Sequence, residues 1–104
     1  FLKEEHFKLM KKNAVLINTS RGAIIDEGAL LIALENNDIA GAALDVLEHE
    51  SLEQGVSSGH PLIKYARRNQ NLLISPHIAG STIESMEETS LFIANRIKEY
   101  LQKI

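Results

Sequence analysis

The chain contains no cysteine. That excludes disulfides, thiolate metal sites and a cysteine nucleophile, and it permits a reducing cytosolic setting without requiring one. Positive charge is not in excess either: 11 basic residues are scattered among 14 acidic ones for a net charge of −3, which argues against a nucleic-acid footprint. No apolar stretch approaches the ~20 residues of a membrane span. The opening Phe1-Leu2-Lys3-Glu4-Glu5 lacks the pattern of a signal peptide. Internal repeats and low-complexity tracts are missing as well. What remains is 104 residues, 44% hydrophobic and 24% charged, the composition of one small soluble domain with a single core. The opening residues already read like the middle of a helix, which suggests a piece of a longer polypeptide.

Three apolar runs organise the chain: Ala14 to Ile17, Ala40 to Leu44 and Leu72 to Ile74. Short, uninterrupted runs of this kind suit parallel strands covered on both faces. Leu2 to Lys12 reads as a helix, with Glu4 four residues before Lys8 and Asn13 as its stop. Asp26 is placed to cap a second helix, in which Leu30, Ala33 and Leu34 form an i, i+3, i+4 stripe ended by Asn36-Asn37-Asp38. Strand, helix and strand make a βαβ unit, whose crossover is right-handed in ~98% of cases. Leu47 to Asn71 is the least regular stretch, with one short helix expected around Leu62 to Ala66. Ser81 with Glu84 forms a capping box that opens a long amphipathic helix. Its stripe is Ile83, Met86, Ser90, Ile93, Ile97, Tyr100 and Ile104. At roughly 30 Å it is long enough to reach another domain or subunit.

Each apolar run finishes in polar or ionisable residues: Asn18 to Arg21, Asp45 to Glu50, and Ser75 to His77. Parallel strands would bring these ends side by side, where open α/β sheets bind ligands. His77 is the strongest candidate for proton transfer, since imidazole works as acid or base near neutrality. Glu50 is placed to accept a hydrogen bond from it and favour its charged form. Arg21 offers a planar fork for a carboxylate, and the neighbouring Gly22 permits a tight turn. Asp45 can accept from an amide-bearing ligand. His49-Glu50-Ser51-Leu52-Glu53 lacks the second histidine of a zinc-protease helix, so no metal site is expected.

The segments Val15 to Leu30, Ala40 to Val46 and Ser75 to Thr82, which contain Asn18-Thr19-Ser20-Arg21-Gly22, Leu44-Asp45-Val46 and Ser75-Pro76-His77-Ile78-Ala79-Gly80-Ser81, resemble the D-isomer-specific 2-hydroxyacid dehydrogenase family. The resemblance covers nearly the whole chain. It implies an α/β fold: a partial Rossmann-type parallel sheet, the second half of a nucleotide-binding domain, followed by a long C-terminal helix. Residues 1–80 would then belong to the NAD(P)-binding domain, and residues 81–104 would return toward a substrate domain that lies outside this chain. It further implies hydride transfer between NAD(H), or NADP(H), and a small 2-hydroxy or 2-oxo acid. By resemblance, Arg21 binds the substrate carboxylate and carbonyl, His77 exchanges the hydroxyl proton and Glu50 pairs with His77. Asp45 meets the nicotinamide carboxamide, while Asn18, Thr19, Ser20, His77, Gly80 and Ser81 lie near the cofactor. A cytoplasmic homodimer is expected for the full-length protein, with no nucleic-acid or membrane partner.

The chain departs from the family pattern in two places. Ser51 follows Glu50 where family members usually carry proline, and Leu52 to Asn71 is longer and more polar than usual. Glutamine, typical of related formate dehydrogenases at the position of Glu50, is not present. G-x-G-x-x-G occurs nowhere in the chain, so the pyrophosphate cradle is missing and the isolated chain is expected to show little turnover. The alternatives are a corepressor-like, nucleotide-sensing module of the same superfamily, and a plain α/β interaction domain.

Overall fold

The computed structural model describes residues 1–50 and 58–104. Three parallel strands, β1 (Val15–Asn18), β2 (Gly41–Leu44) and β3 (Leu72–Ile74), form one sheet in the order β1-β2-β3. Val15 pairs with Gly41 and Asn18 with Leu44, while Ala42 pairs with Leu72 and Leu44 with Ile74. All three strands therefore end along one edge. The sheet confirms the α/β, Rossmann-like reading.

The helices α1 (Glu4–Leu9), α2 (Glu27–Glu35) and α3 (Pro61–Ala66) share one core with the sheet: Phe7, Leu30, Leu34, Ile39 and Leu62 are almost wholly buried, with Ala42, Leu44 and Leu72 beneath them. Asp26 caps α2, its carboxylate accepting from the Ala29 N–H at 2.9 Å. The other end of α2 closes through Asn37, at φ 55°. There the Asn37 N–H donates to Leu34 O and the Asp38 N–H to Ala33 O, the pair of bonds that satisfies the last carbonyls of a helix.

Three expectations are revised. α1 is shorter than Leu2 to Lys12 at both ends: Leu2 is drawn into a bridge with Ile25, donating to Ile24 O and accepting from the Asp26 N–H, both at 2.8 Å, and Met10, at φ −75° and ψ 155°, has already turned to extended backbone. The strands are covered on one face only among the described residues. Period-2 alternation sends Leu16, Ala42 and Leu72 into the core, whereas Val15, Ile17 and Leu73, on the other face, are 61%, 69% and 68% exposed. The third revision concerns α4 (Ile83–Leu101), whose cap is Thr82 and not Ser81: the Thr82 hydroxyl accepts from the Ser85 N–H at 3.1 Å. The Ser81 N–H is spent in a turn with Ile78 O at 3.0 Å.

α4 has no buried residue. It stands away from the core and stretches the molecule to 53 Å by 34 Å by 20 Å. No helix among the described residues is long and apolar enough to cross a membrane. Of the irregular stretch Leu47 to Asn71, α3 forms one residue earlier than expected, and residues 51–57 lie outside the described residues.

Candidate active site

Each strand end is built from local polar contacts. At the end of β1, Asn18 is buried, and its side chain shapes the following turn: Oδ1 accepts from the Ser20 N–H and hydroxyl at 3.1 and 2.9 Å, and Nδ2 donates to Arg21 O at 2.9 Å. This turn carries Arg21 outward, its guanidinium donating to Ser20 O at 2.7 Å. Gly22 begins a 3-10 turn, Gly22–Ile24. A Cβ on Gly22 would lie 2.1 Å from Leu47 C and 2.2 Å from Glu48 N. Only glycine therefore lets the Arg21 turn press against the backbone that follows β2.

At the end of β2, Asp45 is 5% exposed, and its carboxylate organises the loop after β3. Oδ1 accepts from the Ser75 hydroxyl at 2.6 Å and the Ile78 N–H at 3.0 Å, and Oδ2 accepts from the Ala79 N–H at 3.0 Å. The Ser75 hydroxyl first, then the Ala79 and Ile78 amides and the His77 charge, hold the Asp45 carboxyl below its ordinary value against the opposing effect of burial. His77 sits at the crest of this loop at φ 54°, a left-handed conformation uncommon for a side-chain-bearing residue. Its Nδ1 pairs with Glu50 Oε1. Glu50 Oε2 in turn accepts from the Leu47 N–H at 3.3 Å. With Nδ1 engaged by a carboxylate, Nε2 is the ring nitrogen left to exchange a proton with a ligand.

Arg21, Asp45, Glu50, His77 and Ser81 line a single open cleft of about 1020 Å³, with Leu47, Ile63 and Ile74 among its apolar walls. Arg21 and His77 thus line one space. Asn18, Thr19, Ser20 and Gly80 are not among the lining residues; Asn18 lies beneath the Arg21 turn, and the other three are exposed beside it or in the His77 loop. Ser75, the principal partner of Asp45, is a residue that sequence reading left unassigned. Its position directly before Pro76-His77 was the available signal.

A parallel sheet with a polar cleft at the carboxyl ends of its strands defines an α/β domain of the nucleotide-binding class. The family model described as "D-isomer specific 2-hydroxyacid dehydrogenase, NAD binding domain" matches residues 1–79, and the chain belongs to that family. Glyoxylate reductase of Aeropyrum pernix is 41% identical over 99 residues, which cover 95% of this chain and 27% of that protein. Among solved structures, D-isomer specific 2-hydroxyacid dehydrogenase from Lactobacillus delbrueckii ssp. bulgaricus in its NAD complexed form aligns with a TM-score of 0.72 and 36% identity. The alignment covers 90% of this chain and 32% of that one. D-lactate dehydrogenase with NAD+ from Lactobacillus jensenii aligns with a TM-score of 0.68 and 36% identity, over 86% of this chain and 29% of that one. The chain therefore spans roughly a third or less of the length of these relatives.

Proposed function

We propose that this chain supplies the proton-transfer and substrate-anchoring half of an NAD(P)-dependent dehydrogenase acting on small D-2-hydroxy acids and their 2-oxo partners. The observation that carries this reading is that the His77–Glu50 pair and Arg21 line one cleft. Arg21 binds the substrate carboxylate through its fork and neutralises charge beside the carbonyl. Glu50 orients the His77 ring through Nδ1. Nε2 then donates a proton to the carbonyl oxygen in the reducing direction and accepts one from the hydroxyl in the oxidising direction. A positioned proton donor at the oxygen where negative charge develops lowers the barrier at that point.

The donor set fits the nicotinamide end of the cofactor. Asp45 Oδ2 accepts one hydrogen bond within the chain and retains acceptor capacity for a carboxamide N–H. Ser81 lines the same cleft, and Asn18, Thr19, Ser20 and Gly80 border it as supporting turns. The bound nicotinamide supplies or removes the hydride. Solved relatives hold NAD or NADPH, and the site takes NAD, with NADP fitting the same chemistry. Residues 1–80 serve as the second half of the nucleotide-binding domain, and residues 81–104 reach toward a substrate domain, in a cytoplasmic homodimer. The relatives are named as reductases and dehydrogenases, which favours turnover over a corepressor-like role.

The test is NADH or NADPH oxidation with a panel of short 2-oxo acids by the polypeptide that joins this chain to the remaining domains, against its His77→Ala variant. Wild type is expected to turn over, and the variant to lose roughly 10²- to 10⁴-fold in kcat. Tight nucleotide binding without turnover of any 2-oxo acid would overturn the reading.

A further inference from the structure

Glu27 and His60, 33 positions apart, form a second carboxylate–imidazole pair behind the cleft, with only 15% and 17% of their side chains exposed. Glu27 is the first residue of α2, and His60 is the N-cap of α3. The Glu27 carboxylate is shared. Oε1 accepts from the Glu48 N–H at 2.6 Å, and Oε2 meets His60 Nε2 at 2.9 Å. His60 Nδ1 accepts from the Leu62 N–H at 3.2 Å. A nitrogen that accepts from an amide carries no proton, so the ring proton sits on Nε2, and His60 donates to Glu27.

This clasp grips the backbone that carries the proton-transfer pair. Glu48 N, held by Glu27, is also one of the backbone atoms packed against Gly22 beside Arg21. Two residues on, Glu50 reaches back to the Leu47 N–H and forward to His77. One carboxylate therefore joins the start of α2, the start of α3 and the turn that presents Glu50.

We infer that Glu27 and His60 are positioning residues, whose clasp fixes residues 47–50 so that Glu50 reaches His77 in the cleft that Arg21 also lines. This inference rests on the functional reading above. A clasp that served only to tie α2 to α3 would leave the His77–Glu50 contact unchanged when broken.

Nuclear magnetic resonance of the 104-residue chain separates these cases, with Glu27→Gln, His60→Ala and Glu50→Gln compared with wild type. The carboxamide of Glu27→Gln must set its NH2 against either the Glu48 N–H or His60 Nε2–H, both donors, so one arm of the clasp is lost. Where the lost arm is the one to Glu48, its amide is expected to exchange at least about tenfold faster; where it is the one to His60, the His60 ring resonances are expected to shift instead. The His77 Nδ1 resonance is expected to move toward its position in Glu50→Gln. The Ala42 amide, bonded to Asn71 O, should keep its wild-type exchange. An unmoved His77 resonance in either case overturns the inference. If Glu27→Gln also loosens Ala42, His60→Ala decides: it leaves the Glu27–Glu48 contact in place and should move His77 in the same direction by less, whereas no movement overturns the inference. A His77 resonance indifferent to Glu50→Gln would sink the His77–Glu50 pair, and with it the functional reading.

Discussion

The carboxyl edge of the sheet and the helix α4 are built on opposite terms. At the sheet edge, a few polar side chains are used up within the chain: Asn18 shapes the Arg21 turn, Asp45 gathers the His77 loop, and Glu27 grips the turn before Glu50. α4, by contrast, offers Met86, Ile93, Ile97 and Tyr100, all more than half exposed, to no partner among the described residues. The geometry of the cleft is thus set by contacts among the described residues, whereas the apolar stripe of α4 is left uncovered by them. An apolar stripe of this kind stabilises a fold only when something buries it.

The contrast is sharpest in stability. Leu30, with no exposed surface, should cost about 2 to 5 kcal/mol on Leu30→Ala substitution, measured by urea unfolding of the chain. Ile93→Ser on α4 should stay within about 0.5 kcal/mol in the same measurement. A comparable loss at both positions would mean that α4 packs on the core after all.

Gly22→Ala tests the contact between the two turns. Its methyl group has no room beside Leu47 and Glu48, so the backbones must part. An overpacking cost of about 1 to 3 kcal/mol is expected, together with weaker substrate binding, read as a raised KM in the joined enzyme. A neutral substitution would show that Arg21 and Glu50 are set independently.

The smallest effect concerns acid. The Asp45 carboxyl is held below its ordinary value by the hydrogen bonds of the His77 loop. A depressed carboxyl contributes stability that is complete above the ordinary value of about 3.9 and is lost as pH falls through the lower folded value. The Ile78 and Ala79 amides should stay protected at neutral pH and become exposed only in that acid range. In Asp45→Asn, their protection should be weaker and free of this dependence. An acid transition that survives the substitution would point to another carboxylate.

Much of this architecture was readable from short-range pattern. β3 has the expected bounds, Asp26 caps α2, and Glu4 meets Lys8 one helical turn away at 2.5 Å. Such features depend on residues a few positions apart. The Leu2–Ile25 bridge that shortens α1 joins positions 23 apart, a distance that periodicity does not sense. The capping box at Ser81 is displaced by one residue because a local turn onto Ile78 O takes the Ser81 amide, so Thr82 caps the helix instead. In the site, Arg21, Asp45, Glu50 and His77 were legible because each follows an apolar run. That both Asp45 oxygens accept from the loop after β3, and that Glu27 meets His60, were not, since those partners come together only through the fold.

The left-handed backbone at residue 77 sets two demands against each other. Glycine suits that dihedral angle better than histidine does, yet it cannot shuttle a proton. With the proton-transfer role proposed for His77, a substitution that relaxes this position should therefore yield a sturdier polypeptide that no longer supports turnover. A library sorted by thermal resistance and one sorted by turnover would choose different letters there.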